Sequence, residues 1–290
     1  MHLKSKFDSG EFVLLAEMEP PKGVDISVMM ENASRVKGEI DAFVVPEMSN
    51  AVMRMSALGG ALLLQKNGMD TVMQVCCRDR NRLALQADLL AAGASGVKHI
   101  MVVTGEDPGF GDHHQAKAVY DLTLLELLDA IEKMENGHDM SGIDLCGSPQ
   151  FLVGSTVNAG LSAQALESEL SEMNQKIKSG VDFFITPPLF DIASIKPFLS
   201  CVDLSKTPII PTVLLLKSLG MARYMARNVK HVHIPDELVR RIQNAPDKAR
   251  ECVNIAAETV HAIKEHGFSG VCISTIGWED KVPDILKNIS

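Results

Sequence analysis

The strongest constraint on the fold is a regular alternation of short apolar runs with longer amphipathic runs along all 290 residues. The apolar runs mostly lack polar alternation, which is typical of parallel strands that are buried on both faces. Most of their ends recur at intervals close to the roughly 30 residues of one strand–helix–strand unit. We therefore predict eight strands, at residues 12–17, 42–45, 71–76, 99–103, 151–157, 182–186, 208–214 and 270–274.

Helical periodicity fills the stretches between these strands. Eight strand–helix units in series predict an α/β fold, a single (β/α)8 TIM barrel that takes up residues 1–290 as one domain. An open doubly wound sheet is the alternative architecture. The clearest predicted helices lie at residues 50–66, 80–92, 122–134, 162–178, 216–228, 235–244 and 247–266.

Charge and hydropathy argue against several classes of partner. The net charge of −9 disfavours a nucleic-acid partner, which normally leaves a basic footprint. The longest apolar stretch, residues 209–216, contains Pro211 and is too short to span a bilayer. The first residues lack an apolar signal core, and the six cysteines have no zinc-like spacing. We expect a cytoplasmic protein that binds neither nucleic acid nor membrane and holds no metal.

The end of the first predicted strand carries the first candidate for chemistry. In a barrel of this type, catalytic groups lie where the strands end. Glu17 follows an apolar run and precedes Pro20 and Pro21. A carboxylic acid against an apolar wall has a raised pKa, which suits a general acid. Glu19 shares the same face two residues on, so these residues alone leave the choice open, and a structural role at the barrel rim is the plain alternative.

The end of the third predicted strand is rich in charge. Residues 74–81 run from this strand into a helix. Arg78 and Arg80 are candidates for contacts with phosphate, and Asp79 is a candidate cap for the helix. Surface ion pairs are the structural alternative.

Two further strand ends combine small residues with polar ones. Residues 103–114 contain three glycines, which let the backbone approach a ligand closely. Neither a P-loop nor a dinucleotide fingerprint occurs in the chain. Residues 154–160 are small and polar, and Lys176 follows on the next helix. They leave room for a ring system or phosphates, although a simple tight turn would explain them equally well.

Taken together and in order, these segments resemble the 5,10-methylenetetrahydrofolate reductase family. The resemblance extends from Phe12 to Leu286, over nearly the whole chain. Its most specific pieces are EMEPP at 17–21, NAVMRMS at 50–56, CRDRNRLALQ at 77–86, TGE at 104–106, GDH at 111–113, GVDFFIT at 180–186, MARYM at 221–225, IPDEL at 234–238 and GWEDKVP at 277–283.

The resemblance implies a flavin across the top of the barrel, usually FAD, with FMN as the other choice. The flavin passes a hydride to the substrate, methylenetetrahydrofolate, and 5-methyltetrahydrofolate is formed. The family's acid is the Glu that opens the E-x-x-P-P motif, which is Glu17 here. Its proposed role is to protonate a folate nitrogen, and this favours Glu17 over Glu19.

Further site residues follow from the same resemblance. Glu106 occupies the place of an Asp that lies near the flavin and the pterin in the family, and it is the second predicted catalytic residue. The flavin-contacting positions of the family correspond to Gln74, Thr104, Gly105, Val119, Asn158 and Lys176.

The chain departs from the family pattern mainly on the substrate side. Pro187 stands where the family has a folate-binding Gln, and Ala159 and Leu215 each replace a proline. Because one pocket of the family serves both nicotinamide and folate, the lost Gln leads to a hypothesis about the electron donor. A redox partner protein, rather than free NAD(P)H, would reduce the flavin, within a homo- or hetero-oligomer. A non-redox barrel that binds pterins and supports methyl transfer is the alternative function.

Overall fold

Eight parallel strands close into a barrel in the computed structural model, which describes residues 2–229 and 232–289. The strands pair in chain order, and β8 returns to pair with β1. This pairing confirms the predicted (β/α)8 barrel and excludes the open sheet. The strands are β1 (Val13–Glu17), β2 (Ala42–Val45), β3 (Thr71–Cys76), β4 (His99–Val103), β5 (Leu152–Thr156), β6 (Phe183–Pro188), β7 (Ile209–Leu214) and β8 (Gly270–Ser274).

Helices surround the barrel and connect consecutive strands. None within residues 2–229 and 232–289 is long and apolar enough to cross a membrane. The helices are α1 (His2–Ser9), α2 (Ser27–Arg35), α3 (Ala57–Lys66), α4 (Arg82–Ala94), α5 (Leu124–Glu135), α6 (Ala163–Lys178), α7 (Lys196–Leu199), α8 (Leu219–Asn228), α9 (Asp236–Asn244), α10 (Lys248–Glu265) and α11 (Val282–Ile289).

Two of the predicted helices begin three or more residues later than expected. Instead of a helix from residue 50, the chain makes a short 3-10 turn at Ser49–Ala51 and enters α3 only at Ala57. The helix starts there because the Ser56 side chain accepts a hydrogen bond from the Gly59 N–H at 3.2 Å. In the same way, Ser218 caps α8, so this helix begins at Leu219 rather than at residue 216. In both cases a polar cap, not the apolar periodicity, fixes the boundary.

The core has two layers. One lies between the strands and the surrounding helices, and the other fills the barrel interior with side chains from alternate strand positions, such as Leu15, Val72 and Met101. Gly154 leaves space for the ring of Phe183, since a Cβ at this glycine would lie 2.4 Å from that ring. The interior is therefore a packed core and not a pore.

The N-terminal end of the barrel is closed by α1, a helix that the sequence did not predict. Leu3 is fully buried among the interior side chains, and the ring of Phe7 lies 5.7 Å from that of Phe183. These are the only two apolar residues of the eight in α1, which is too weak a pattern to indicate a helix. The strand ends on the opposite side remain available for a site.

His99 lies in the interior near this closed end and gives the protein a pH dependence. It is fully buried, its Nδ1 lies 3.2 Å from the Thr71 carbonyl oxygen, and its Nε2 has no partner within residues 2–229 and 232–289. Burial lowers the pKa of His99 below its ordinary value of 6.5. Below that pH the unfolded chain binds the proton more readily than the folded one, so stability is lost as the pH falls.

We expect the free energy of unfolding to decrease below about pH 6.5, with a contribution from His99 of at most about 1.4 kcal/mol per pH unit. Urea unfolding at several pH values would measure this slope. The slope should be shallower in a His99→Leu variant and unchanged in His266→Gln, which alters an exposed histidine. Equal slopes for wild type and His99→Leu would contradict the assignment.

Candidate active site at the carboxyl ends of the strands

A ring of polar side chains faces the barrel axis at the carboxyl ends of the strands. Side chains alternate between the two faces of a strand, so Glu17 points the same way as Val13 and Leu15, which belong to the interior core. The same alternation turns further polar residues inward on four other strands: Gln74, Thr156, Thr212 and Ser274. The barrel mouth is thus lined by groups that can donate or accept hydrogen bonds.

Glu17 is the ionisable group of this ring whose pKa is most clearly matched to catalysis. Its pKa is raised from 4.5 to about 7, mainly by burial and to a smaller extent by the charges of Glu19 and Glu279. A hydrogen bond from Ser274, on the neighbouring strand β8, opposes this rise. Near neutral pH the carboxyl therefore exchanges between its protonated and ionised forms, which is the property of an effective general acid.

Glu19 lies in a different environment from Glu17. Its carboxylate forms an ion pair with Arg54 at 3.0 Å. Partial burial raises the pKa of Glu19, and the Arg54 charge is the main effect that opposes the rise. Arg54 also lies 3.4 Å from the Pro20 carbonyl oxygen, which it contacts as a donor. The two carboxyl groups that the sequence could not separate thus differ, since Glu19 has a cationic partner and Glu17 has none among residues 2–229 and 232–289.

Arg78 is a buried connection between the loops that follow β2, β3 and β4. Its side chain is 1% exposed and forms a two-pronged pair with Asp79, with both N···O distances at 2.8 Å. The same guanidinium donates to the carbonyl oxygens of Glu47, Met48 and Glu106 at 3.3–3.4 Å. Hydrogen bonds to Asp79 raise the pKa of Arg78, so the group stays charged.

The hypotheses that this segment binds phosphate and caps a helix must be revised. Asp79 does not cap α4, because its carboxylate is held by Arg78; the cap is Asn81, which accepts a hydrogen bond from the Ala84 N–H at 3.1 Å. Arg80 lies between Glu47 at 3.1 Å and Asp88 at 2.9 Å. Both arginines are therefore engaged inside the protein and are not available to a phosphate in this arrangement.

Asp112 forms a second connection, which we call the Asp112 clasp. Its carboxylate pairs with Lys22 from the loop after β1, accepts the Met53 N–H from the loop after β2 at 3.0 Å, and lies 2.8 Å from His113 Nδ1. The hydrogen bonds from Lys22 and His113 lower the pKa of Asp112. Gly111, beside it, packs so closely on Ala51 that a Cβ would lie 1.8 Å from the Ala51 carbonyl oxygen. Three mouth loops are joined at this point.

We expect an Asp112→Asn substitution to loosen these loops without unfolding the barrel. The amide keeps the size of the side chain but removes the negative charge that holds Lys22. Limited proteolysis of residues 104–123 should become several-fold faster, while the urea midpoint of global unfolding should change little. Asp203→Asn, at another exposed carboxylate paired with a lysine, is the matched control and should leave this proteolysis unchanged. Equal cleavage rates in wild type and Asp112→Asn would exclude the clasp.

Four predicted cofactor-binding residues lie on the β3–β4 side of the mouth. The Gln74 oxygen accepts the Glu47 N–H at 3.1 Å, which leaves its NH2 group for a ligand. Thr104 is exposed, and Gly105 adopts a φ of +88°. A Cβ at Gly105 would lie 2.4 Å from Cys76 Sγ, so this position requires glycine. Val119 is 45% exposed, and its N–H donates to the Arg78 carbonyl oxygen at 2.7 Å.

The other two predicted cofactor-binding residues lie on the β5 side. The Asn158 oxygen accepts the Gly160 N–H at 3.1 Å in a tight turn, and its NH2 group remains for a ligand. Lys176 is 3% exposed, and its Nζ donates to the Thr156 carbonyl oxygen at 2.9 Å. The same Nζ lies 2.7 Å from Glu172. Only one of the three Lys176 protons is left for a further partner.

The positions of these residues separate the acid from the predicted cofactor contacts. β4 and β5 lie across an eight-stranded barrel from β1, so Glu17 faces the arc that runs from Gln74 to Asn158. Glu106, the second predicted catalytic residue, is more than half exposed, and its carboxylate lies 3.4 Å from Arg78. Its position is on the rim, outside the partly buried ring that contains Glu17.

The two departures from the family pattern at β5 and β6 line one small pocket. Ala159 and Pro187 both border it, together with Asn158, Phe190 and His233. β6 runs on to Pro188, two residues beyond its predicted end, and its pairing with β7 is irregular between Ile185 and Pro188. Proline offers neither an amide side chain nor an N–H donor, so position 187 contributes only shape to this pocket, and the side-chain amide that borders it belongs to Asn158.

A larger cleft lies at the other end of the barrel. It has a volume of about 720 Å³ and is lined partly by Lys4 and Phe7 of α1 and by Asp182. Because catalytic groups of such barrels lie at the carboxyl ends of the strands, we assign no chemistry to this cleft. Within residues 2–229 and 232–289 no three metal-ligating side chains come together, and the absence of a metal remains a prediction.

Several residues at the mouth were not recognised from the sequence. Ser274 bonds to Glu17, but a serine at the end of an apolar run carries no distinguishing signal. The ionic contact between Lys22 and Asp112 joins residues 90 positions apart, so no local pattern could have indicated it. Glu279 lies in the tail motif at 277–283, but nothing in that motif indicated that its carboxylate lies close enough to Glu17 to raise the pKa of Glu17.

The chain matches a known protein family over almost its whole length. The sequence pattern of the family described as Methylenetetrahydrofolate reductase covers residues 2–290. A curated relative, Methylenetetrahydrofolate reductase 2 of Schizosaccharomyces pombe, is 24% identical over 309 residues. The match covers 99% of this chain but 46% of the relative, so the chain spans about half of the length of that protein.

Solved structures with the same fold include an uncharacterized protein from Clostridium thermocellum that binds two copies of 5-methyl-5,6,7,8-tetrahydrofolic acid. It has a TM-score of 0.66 and 16% identity, and the match covers 99% of this chain and 97% of the other. An EDTA monooxygenase from Chelativorans sp. BNC1 has a TM-score of 0.57 and 10% identity, with 96% and 93% covered. At such identities the likeness establishes the barrel fold.

Proposed function

The chain belongs to the methylenetetrahydrofolate reductase family, and from this membership we propose that it reduces 5,10-methylenetetrahydrofolate to 5-methyltetrahydrofolate with a bound flavin. The observation that carries the proposal is Glu17, a partly buried carboxyl group at the mouth whose pKa is about 7. The binding of 5-methyltetrahydrofolic acid by the fold relative from Clostridium thermocellum supports a folate as the ligand of this fold.

The role of Glu17 in the proposal is to protonate a folate nitrogen. Protonation opens the bridging ring of the substrate to an iminium, which then accepts a hydride. A group with a pKa near the working pH is protonated often enough to donate and is acidic enough to do so readily, which is worth roughly 10²- to 10⁴-fold in rate. Ser274 contributes a hydrogen bond to this carboxyl group, and Glu106, on the rim, is the residue assigned to the pterin.

The described residues fit a flavin along the arc that faces Glu17. A flavin supplies the hydride when it is bound. The free NH2 groups of Gln74 and Asn158 can donate to its carbonyl oxygens, and the open backbone at Thr104 and Gly105 lets a flat ring approach closely. Val119 adds an exposed apolar contact, and Lys176 offers its remaining proton. The cofactor is FAD in this proposal, with FMN as the other choice.

The remaining parts of the proposal concern the donor and the setting of the protein. Pro187 removes the amide that a shared folate and nicotinamide pocket uses, so we assign the electrons to a redox partner protein and not to free NAD(P)H. The chain then acts as one flavin-binding barrel domain in a cytoplasmic hetero-oligomer.

The direct test of the proposal is to identify the cofactor of the purified native protein. We expect a yellow protein that releases FAD or FMN on denaturation. Holoenzyme reduced chemically with dithionite, then freed of reductant and mixed anaerobically with methylenetetrahydrofolate, should regain its flavin absorbance and form 5-methyltetrahydrofolate. A yellow protein whose reduced flavin is not oxidised by this substrate would refute the proposed reaction.

The second candidate function is a non-redox barrel that binds pterins and supports methyl transfer. The fold relative that binds 5-methyltetrahydrofolic acid favours it, because the match extends over 97% of that chain. This function needs no flavin. A colourless protein that binds 5-methyltetrahydrofolate, and whose binding is unaffected by added FAD or FMN, would favour it over the reductase.

A further inference from the structure

The charge of the chain is strongly segregated. Residues 217–250 carry eight Lys and Arg against three Asp and Glu, whereas the other 256 residues carry 20 against 34. The net charge of −9 therefore hides a basic region within an acidic protein. Much of this region forms α8 and α9, the helices that follow β7. A charged patch of this kind attracts partners of opposite sign.

Three arginines and one tyrosine form an exposed surface on these helices, which we call the basic face: Arg223, Tyr224, Arg227 and Arg240. Tyr224 is 64% exposed. Within the described parts of the chain, none of the three arginines has an acidic partner; Arg223 donates to the Gln243 side chain at 2.8 Å. Arg241, by contrast, is held by Glu251 and Glu258.

The chemistry of the basic face is that of a protein interface. Unpaired arginines and an exposed tyrosine are the residue types that most often contribute binding energy between proteins. The acidic remainder of the chain repels extended polyanions such as nucleic acids, as well as anionic membranes. A compact protein with a local acidic patch can contact the basic face without meeting the rest of this charge.

The helix that carries Arg223, Tyr224 and Arg227 begins close to the barrel mouth. This helix, α8, begins at Leu219, just after the end of β7. Between the two lies Lys217, whose Nζ donates to the Ile276 carbonyl oxygen and lies 5.7 Å from the centre of the Trp278 ring. These residues belong to the loops after β7 and β8, and β8 is the neighbour of the strand that ends at Glu17. A protein bound to the basic face would therefore border the mouth.

We propose that the basic face docks an acidic electron-carrier protein that reduces the bound flavin, an inference that rests on the proposed function. Each turnover consumes two electrons and two protons: the carrier gives up two electrons, one at a time in the case of a ferredoxin, and the substrate gains both as it becomes 5-methyltetrahydrofolate. The protons come from solvent, one of them through Glu17.

The test uses holoenzyme, an acidic ferredoxin as the probe, and an Arg223→Glu/Arg227→Glu variant. The control, Lys66→Glu/Lys178→Glu, makes the same change in net charge on α3 and α6. At about 0.15 M salt, the first variant should bind the ferredoxin roughly tenfold or more weakly than wild type, as measured by calorimetry. Flavin reduction by the reduced ferredoxin should slow to match, and the control should behave as wild type.

A second variant, Arg223→Gln/Arg227→Gln, removes the charges without reversing them and should give an intermediate affinity. Unfolding midpoints and flavin content verify that each variant is folded. The docking proposal would be overturned if both charge-reversed variants lost ferredoxin affinity equally, or if reduced ferredoxin did not reduce the flavin of the wild type. A basic face that binds short single-stranded DNA or anionic vesicles in place of ferredoxin would also overturn it. Dithionite-reduced holoenzyme that still reduces methylenetetrahydrofolate would show that the proposed function survives this failure.

Discussion

Replacing Glu17 by glutamine is expected to slow the oxidation of reduced holoenzyme by methylenetetrahydrofolate by roughly 10²- to 10⁴-fold, the usual contribution of a general acid. The amide has nearly the same shape and leaves the ring of polar groups in place, but it cannot donate the required proton. Rapid mixing of dithionite-reduced protein with substrate would measure the rate. Flavin binding should not change, because Glu17 faces the cofactor arc from the other side of the mouth.

The same variant should alter the pH dependence of stability in a predictable direction. Glu17 has a folded pKa of about 7 against 4.5 when unfolded. Between these values the folded state retains a proton that the unfolded state releases, so wild type loses stability as the pH rises through this window. Glutamine has no such dependence. Relative to wild type, Glu17→Gln should therefore gain about 3 kcal/mol between about pH 4.5 and about pH 7.

Glu19→Gln is the matched control, two residues away on the same face. It breaks the ion pair with Arg54, so the pH dependence of its stability should differ from that of Glu17→Gln. It should keep most of the activity in folate reduction. If Glu19→Gln lost folate reduction and Glu17→Gln retained it, the roles of the two carboxyl groups would be reversed. Unchanged rates in both variants would remove this cluster from the chemistry.

Replacing Arg78 by methionine is expected to be the most destabilising of these substitutions. It leaves the Asp79 carboxylate without its cation and three loop carbonyl oxygens without their donor. Removing one member of a buried charged pair typically costs about 3–5 kcal/mol. Urea unfolding should show a loss of this size, and flavin affinity should fall because the loops after β2, β3 and β4 are no longer joined.

Two further variants show whether burial makes Arg78 important. Arg78→Lys keeps the charge but not the planar fork, so it should recover only part of the lost stability. Arg82→Met removes a similar two-pronged pair, with Asp121, from the surface and should cost at most about 1 kcal/mol. A loss for Arg78→Met no larger than that for Arg82→Met would contradict its role as a connection between loops.

The barrel could be predicted from sequence because its strands are buried on both faces and therefore appear as continuous apolar runs. β2, β3, β4 and β8 have the predicted bounds, and the other strands differ by one or two residues at an end. Helix starts were less predictable where a polar cap lies inside an apolar periodic stretch, as Ser56 does at α3. α1 was missed because it owes its burial to tertiary contacts of Leu3 and Phe7.

The candidate site was predictable only where a single strand end carried the information. Glu17 stands out in the sequence because a carboxyl group follows an apolar run, although only the family resemblance separates it from Glu19. Arg78 does not, since its partners at Glu47, Met48 and Glu106 come from two other loops about 30 residues away on either side. The prediction that Asp79 caps α4 was wrong for a similar reason. Asp79 is bound by Arg78, and the burial of Arg78 that brings about this pairing cannot be read from the local sequence. The basic face was not evident from the overall net charge either, because the acidic residues in the rest of the chain outweigh its arginines.

The helix that covers the N-terminal end of the barrel also determines the route by which small molecules reach Glu17. That end is blocked and the interior is filled by side chains. Any small molecule that contacts Glu17 must therefore enter and leave through the barrel mouth at the opposite end. A folate and any second small reactant that needs the same space would have to occupy it in alternation. Steady-state kinetics with two such reactants would then give parallel double-reciprocal lines, the pattern of an enzyme that releases one reactant or its product before it binds the next.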